Sequence, residues 1–131
     1  MDTLNLQPIT FQPIGVVQNG FDQSTPRKAF RDTESIIVLD PQLAGGLDGL
    51  KPGQQIFILF HLHRADGYDL YQHPRGDKDR PKRGLFSLRT PRRPNAIGLT
   101  KVELIAIEGN QLRVRGLDAI QETPVLDLKP A

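Results

Sequence analysis

Eleven prolines and twelve glycines in 131 residues leave little uninterrupted chain from which to build a long helix. A proline inside a helix removes a hydrogen bond and clashes with the preceding turn, at about 3 kcal/mol, and an interior glycine costs about 1 kcal/mol relative to alanine. The one helical candidate, residues 41–50, contains Gly45-Gly46 and is weakened accordingly. Short β-like runs are plentiful instead: residues 11–17, 35–39, 55–63, 84–89, 99–108, 111–117 and 124–128. Pro13 marks the first as an edge or bulged strand. Gly109-Asn110 joins the fifth and sixth and supplies the positive φ that a tight hairpin turn needs. In the sixth, Leu112 and Val114 alternate with Arg113 and Arg115, a period of two. About seven short strands separated by turn signals predict an all-β, mainly antiparallel fold, a small closed or nearly closed barrel forming one domain over residues 1–131. Residues 64–83 form a long polar connection, and loops of that length in a compact domain usually carry function.

The absence of cysteine excludes a disulfide framework, a zinc–thiolate site and a cysteine nucleophile. No apolar run approaches the roughly 20 residues of a membrane-spanning helix; the longest, residues 56–62, is broken by His61. The N-terminal MDTLNLQPIT lacks the basic-then-apolar order of a secretory signal. The expectation is a cytoplasmic protein without a membrane partner.

The formal net charge is only +2, but it is unevenly placed. Residues 72–93 hold eight Lys or Arg (Arg75, Lys78, Arg80, Lys82, Arg83, Arg89, Arg92, Arg93) against Asp77 and Asp79, a balance of +6, while the rest of the chain stands at −4. One basic segment on an acidic body suits a phosphate-rich partner, although a solvated loop has the same composition. Within it, Pro91 and Pro94 bracket Arg92-Arg93, and the fixed φ of proline lowers the entropy lost when the guanidinium groups engage a ligand. Asn95 favours a turn, and Gly98 permits close approach before the next strand. Planar bidentate donors such as Arg89, Arg92 and Arg93 suit phosphate or carboxylate. The competing reading makes them staples to backbone carbonyls.

His61 and His63 have the spacing of two imidazoles on one strand face, a pattern found in metal sites. No signature supplies a third ligand, so the pair is read as pocket-lining and no metal is expected. Asp118, at the end of a strand, is placed either to receive an amine or ribose hydroxyl or to cap a turn. No serine–histidine–aspartate order, phosphate-binding glycine loop or nucleophile elbow is present.

Three stretches, PIGVV at 13–17, HPRGDKDRPKRGLFSLRTPRRPNAIGL at 73–99 and GLDAIQETPVLDLKP at 116–130, resemble the TsaA-like (TrmO, formerly YaeB) family along nearly the whole chain. The resemblance implies an S-adenosylmethionine-dependent methyltransferase built on a small β-barrel. It implies action on N6 of threonylcarbamoyladenosine in the tRNA anticodon loop by a homodimer, here in the short form without the C-terminal domain of longer members. The alternatives kept open are a paralogue methylating another substrate and a non-enzymatic S-adenosylmethionine- or nucleotide-binding module.

The cofactor residues implied by the family pattern are Pro26, Arg27 and Lys28; His63 and Arg64; Arg89; Leu99; and Asp118, Ala119, Ile120 and Gln121. Arg75, Arg92, Arg93 and Asn95 are the expected RNA contacts, and no catalytic residue is assigned. The chain departs from the family pattern at Lys28, at Gln55-Ile56-Phe57, at Ala96, at Ala131, and at Gln121 and Glu122, where the family has an acid and a glycine.

Overall fold

The computed structural model describes residues 3–131. Six strands close into a barrel in the order β1–β2–β7–β6–β3–β8, every neighbouring pair antiparallel. They are β1 Gly15–Gln18, β2 Glu34–Leu39, β3 Gln55–His61, β6 Ile97–Glu108, β7 Gln111–Arg115 and β8 Pro124–Pro130. Two short strands, β4 Tyr71–Gln72 and β5 Arg83–Gly84, pair as a separate ribbon.

The period-two pattern explains which residues enter the core. Ile37 and Leu39 of β2, Ile56, Ile58 and Phe60 of β3, Val102 and Leu104 of β6, and Leu112 and Val114 of β7 are all buried. Their sequence neighbours face outward, as a single-layer barrel requires. On the outside, Arg115 bonds Glu34 at 3.2 Å and Glu103 at 3.1 Å, tying β7 to both of its neighbours. Closure bends the longest strand. The β6–β7 register shifts between Leu104 and Ala106, so the first part of β6 pairs with β3 and the last part with β7. Bulges of this kind turn a sheet at barrel corners.

The predicted barrel is present, with differences at its margins. The first run is a strand only from Gly15, because Pro13 has no N–H to give and Ile14 instead donates to the Val125 carbonyl at 2.8 Å. The helical candidate is a 3-10 turn over Pro41–Leu47, capped by the Asp40 side chain. Residues 84–89 are not a strand. After Arg83–Gly84 the chain enters a 3-10 turn at Leu85–Ser87, closed by the Ser87 hydroxyl donating to the Gly84 carbonyl at 2.7 Å. At the hairpin, Gly109 takes φ 62°, and the Asn110 side-chain amide donates to the Leu39 carbonyl of β2 at 2.6 Å.

The topology puts three of the barrel's connections at one end. β1 and β2 are joined there by residues 19–33, β3 and β6 by residues 62–96, and β7 and β8 by residues 116–123. The β2–β3 connection, residues 40–54, and the tight Gly109-Asn110 hairpin lie at the opposite end.

Candidate functional site

The three connections enclose a cleft of about 1320 Å³. Its floor is the barrel end, from Phe60 of β3 and Leu62 just after it to Ile97–Thr100 of β6. Phe60 and Gly98 are register partners, and the ring lies against the glycine so closely that a Cβ at Gly98 would clash with the ring carbons. Gly98 therefore serves the packing of Phe60, which is buried to 2% exposure and forms part of the cleft wall.

The β1–β2 connection contributes Gln23, Thr25, Arg27 and Phe30. Phe30 is buried and meets Phe21 edge-on at 4.7 Å between centroids, which anchors the 3-10 turn Arg27–Phe30 and carries Arg27 to the cleft. Pro26 and Lys28 flank Arg27 but lie outside the cleft lining.

The β7–β8 connection contributes Asp118, Ala119, Ile120 and Thr123. It is held by a side chain with no motif to advertise it. The Asn19 amide donates at 2.9 Å to both the Ser35 hydroxyl and the Ala119 carbonyl, and its oxygen accepts from the Phe21 N–H at 3.0 Å. Gln121 belongs to this scaffold. It accepts from the Asn19 N–H at 2.6 Å and lies outside the cleft lining. Asp118 is exposed, and among the described residues no hydrogen bond or ion pair engages its carboxylate.

The segment at 62–96 supplies the rest. Leu62 keeps a sheet bond to the Ala96 carbonyl, but the His63 N–H turns back onto the His61 carbonyl at 2.8 Å. The strand ends at His61, so the two imidazoles do not share a strand face, a correction to the sequence expectation caused by that turn. His63 lines the cleft, and its Nε2 is buried without a partner among the described residues. Burial, then the positive charge of Arg64 and the neighbouring His61, pushes the imidazole below the ordinary histidine value. It is therefore neutral at pH 7, and a neutral imidazole offers one donor and one acceptor. Among the described residues no group of three or more His, Asp or Glu is placed to hold a metal ion.

Eight arginines line the cleft (27, 64, 75, 80, 83, 89, 92 and 93) against Asp66 and Asp118, so its field is positive. They fall into two sets. Arg83 donates to the Ser87 carbonyl, Arg89 to the Leu99 carbonyl, and Arg93 to the Leu88 and Thr90 carbonyls at 2.8 and 3.1 Å. These three staple the loop, as the competing sequence reading anticipated for Arg89 and Arg93 but not for Arg83, while keeping further N–H donors on each guanidinium. Arg92 pairs with Asp69 at 3.2 Å in an exposed bridge, a contact usually worth under about 1 kcal/mol. Arg27, Arg64, Arg75 and Arg80 form the second set: no hydrogen bond or ion pair among the described residues holds their side chains.

Gln72, which sequence reading passed over, organises the loop. Its amide nitrogen donates to the Asp69 and Arg92 carbonyls at 2.7 and 2.9 Å, and its oxygen accepts from the Thr90 hydroxyl at 2.7 Å. Asn95 is exposed and outside the cleft lining, its carbonyl accepting from the Ile97 N–H.

The donor set matches the chemistry of a zwitterionic nucleoside such as S-adenosylmethionine. Arginines suit its carboxylate, Asp118 its ammonium or ribose hydroxyls, and Leu99, Ala119 and Ile120 its adenine. The orphaned His63 Nε2 is a buried polar atom of the kind a bound ligand satisfies.

Residues 18–131 match the tRNA-methyltransferase O N-terminal domain family. A probable S-adenosyl-L-methionine-binding protein of Methanothermobacter thermautotrophicus is 44% identical over 125 residues, covering 93% of this chain and 89% of that protein. A tRNA (adenine(37)-N6)-methyltransferase of Rattus norvegicus is 37% identical over 131 residues, covering 91% of this chain but 30% of that protein. The crystal structure of TrmO from Pseudomonas aeruginosa superposes with a TM-score of 0.76 at 28% identity, covering 95% of this chain and 56% of that one. The chain thus spans nearly the whole of the archaeal relative and little more than half of the bacterial structure.

Proposed function

Because the chain belongs to the tRNA-methyltransferase O N-terminal domain family, we propose that it is an S-adenosylmethionine-dependent tRNA methyltransferase acting on N6 of threonylcarbamoyladenosine in the anticodon loop. The observation that supports this reading is the arginine-lined cleft at one end of the barrel, in which Arg27, His63, Arg89, Asp118, Ala119 and Ile120 from three separate connections meet Leu99 of β6.

S-adenosylmethionine, when bound, supplies an electrophilic methyl group on a sulfonium, and the protein's part is to orient and desolvate. Arg27 and the free donors of Arg89 hold a carboxylate. Asp118 accepts from hydroxyl or ammonium donors, and the apolar trio packs the purine. His63, its pKa lowered, would offer the bound cofactor a hydrogen bond while adding little positive charge to the arginine-lined cleft. Arg75 and Arg92, on the rim, meet the substrate's carboxylate and the flanking phosphates. An anticodon-loop base is already unpaired, so bringing it to the cleft costs no duplex opening. The reading includes a homodimer and a cytoplasmic location. The side chains of Leu4, Leu6, Ile9 and Phe11, all exposed before β1, are apolar surface that pairing of two copies would cover.

Calorimetry with S-adenosylmethionine tests the cofactor half. Micromolar binding, about −8 kcal/mol, is expected. Arg27→Ala should weaken it by about 1.5–3 kcal/mol, the range for a hydrogen bond to a charged group, without lowering Tm. Absence of heat at millimolar cofactor would refute the reading. For the substrate half, a deletion strain should lose the N6-methylated form of threonylcarbamoyladenosine from its tRNA nucleosides.

A further inference from the structure

The chain has six phenylalanines, two tyrosines and no tryptophan. Phe30 and Phe60 are buried, whereas Tyr68, Tyr71 and Phe86 stand exposed within the basic segment and the loop that precedes it. Tyr71 is 67% exposed and Phe86 77%. Local structure enforces both exposures. In β4 the side chain of Gln72 turns inward to its three bonds with Asp69, Thr90 and Arg92, and strand alternation sends Tyr71 to the opposite face. The register partner of Tyr71 is Gly84, which has no side chain to cover the ring, and a Cβ built there meets nothing within 4 Å. In the following 3-10 turn, Leu85 is buried and its N–H bonds the Leu70 carbonyl at 2.8 Å, so the adjacent Phe86 is held outward. Arg93 sits 5.9 Å from the Phe86 ring centroid, and Phe86 borders the cleft.

Outward-facing aromatic rings on a loop that also carries cations are what unpaired nucleobases need. Each base offers a face to stack and a phosphate to neutralise. We propose that Tyr71 and Phe86 form a stacking platform for the unpaired bases flanking the nucleotide that enters the cleft, with Tyr68 extending it and Arg75 and Arg80 meeting the phosphates. The charge of the segment, +6 against −4 for the rest of the chain, selects a polyanionic occupant over an apolar protein face. The platform rests on the reading of the chain as a tRNA-modifying protein, and deepens it by naming what grips the loop.

Both tyrosines belong to the platform and there is no tryptophan, so intrinsic tyrosine emission reports on it directly. The probe is an anticodon stem-loop RNA, with the same sequence as a full duplex for comparison. Stem-loop binding, followed independently by anisotropy, should quench tyrosine emission in parallel, and in Tyr68→Phe the remaining signal from Tyr71 should still be quenched. Tyr71→Ala should weaken stem-loop binding about tenfold, within the range for loss of one stacked base, and Tyr71→Phe should restore it. The salt slope should be unchanged in Tyr71→Ala and flattened in Arg75→Ala. The duplex should bind without quenching. If the stem-loop binds with unchanged emission and Tyr71→Ala binds as well as wild type, the platform is wrong while the tRNA reading stands. If Tyr71→Ala alters molar mass in light scattering and leaves RNA affinity alone, the rings belong to an interface between copies and the proposal fails. If wild type binds no tRNA at all, the functional reading falls and the platform with it.

Discussion

Glu122 holds φ at 69°, in the left-handed region, with its N–H donating to the Val17 carbonyl at 2.8 Å. A side chain in that conformation costs about 1–2 kcal/mol, offset in part by the roughly 0.4–1 kcal/mol of unfolded-chain entropy that glycine adds. Glu122→Gly should therefore raise stability by about 0.5–1 kcal/mol, readable as a higher urea midpoint; a lower midpoint would mean the glutamate makes a compensating contact. His63 gives a pH-dependent counterpart. Its pKa in the fold lies below the unfolded value of 6.5, so the unfolded chain binds the proton more readily in mild acid. The stability present above 6.5 is lost progressively as pH falls from there through the lower value that the imidazole has in the fold. His63→Gln should flatten the fall in Tm between about pH 7.5 and pH 5, and a parallel pair of Tm curves would remove His63 from the account.

At the scale of elements, the cleft floor depends on β3 and β6 meeting at Phe60 and Gly98. Gly98→Ala forces a methyl into the buried ring, and overpacking of that kind costs about 1–3 kcal/mol. The expected outcome is a lower Tm together with weaker cofactor binding, because Phe60 moves within the cleft wall; unchanged Tm would show that the ring yields freely. The elements were legible where alternation was strong. Residues 111–117 read as a strand from the alternation of Leu112 and Val114 with Arg113 and Arg115, of which the structure keeps Gln111–Arg115, and the Gly109-Asn110 turn reads from its chemistry. Residues 84–89 misled because a short run with Leu85, Phe86 and Leu88 matches a strand, whereas burial of Leu85 next to exposed Phe86 is set by a 3-10 turn. The His61–His63 spacing misled for a similar reason: strand periodicity holds only while the strand continues, and the chain turns at His63. In the site, charged and proline-flanked residues announced themselves. Asn19 and Gln72 did not, because their importance lies in partners far along the chain, Ala119 for the one and Arg92 for the other, which no local pattern encodes.

At the scale of the whole molecule, the barrel gathers three of its connections at one end, and those connections carry the arginines, the His63 Nε2 and the Asp118 carboxylate, both without a partner among the described residues, into one cleft. The closed barrel supplies rigidity and the connections supply chemistry, with the basic segment on the rim of the same opening. This division of labour makes a single central claim, that a cofactor methyl group and an anticodon-loop nucleotide meet in that cleft. The most direct measurement is methyl transfer by the purified chain from isotope-labelled S-adenosylmethionine to tRNA that either carries or lacks threonylcarbamoyladenosine, with the nucleosides then separated and weighed. The account predicts label in threonylcarbamoyladenosine, heavier by one methylene group with its label retained on the adenine N6, and none in the tRNA that lacks it. Saturable cofactor binding with no label in either tRNA would contradict it and leave a binding protein in place of an enzyme.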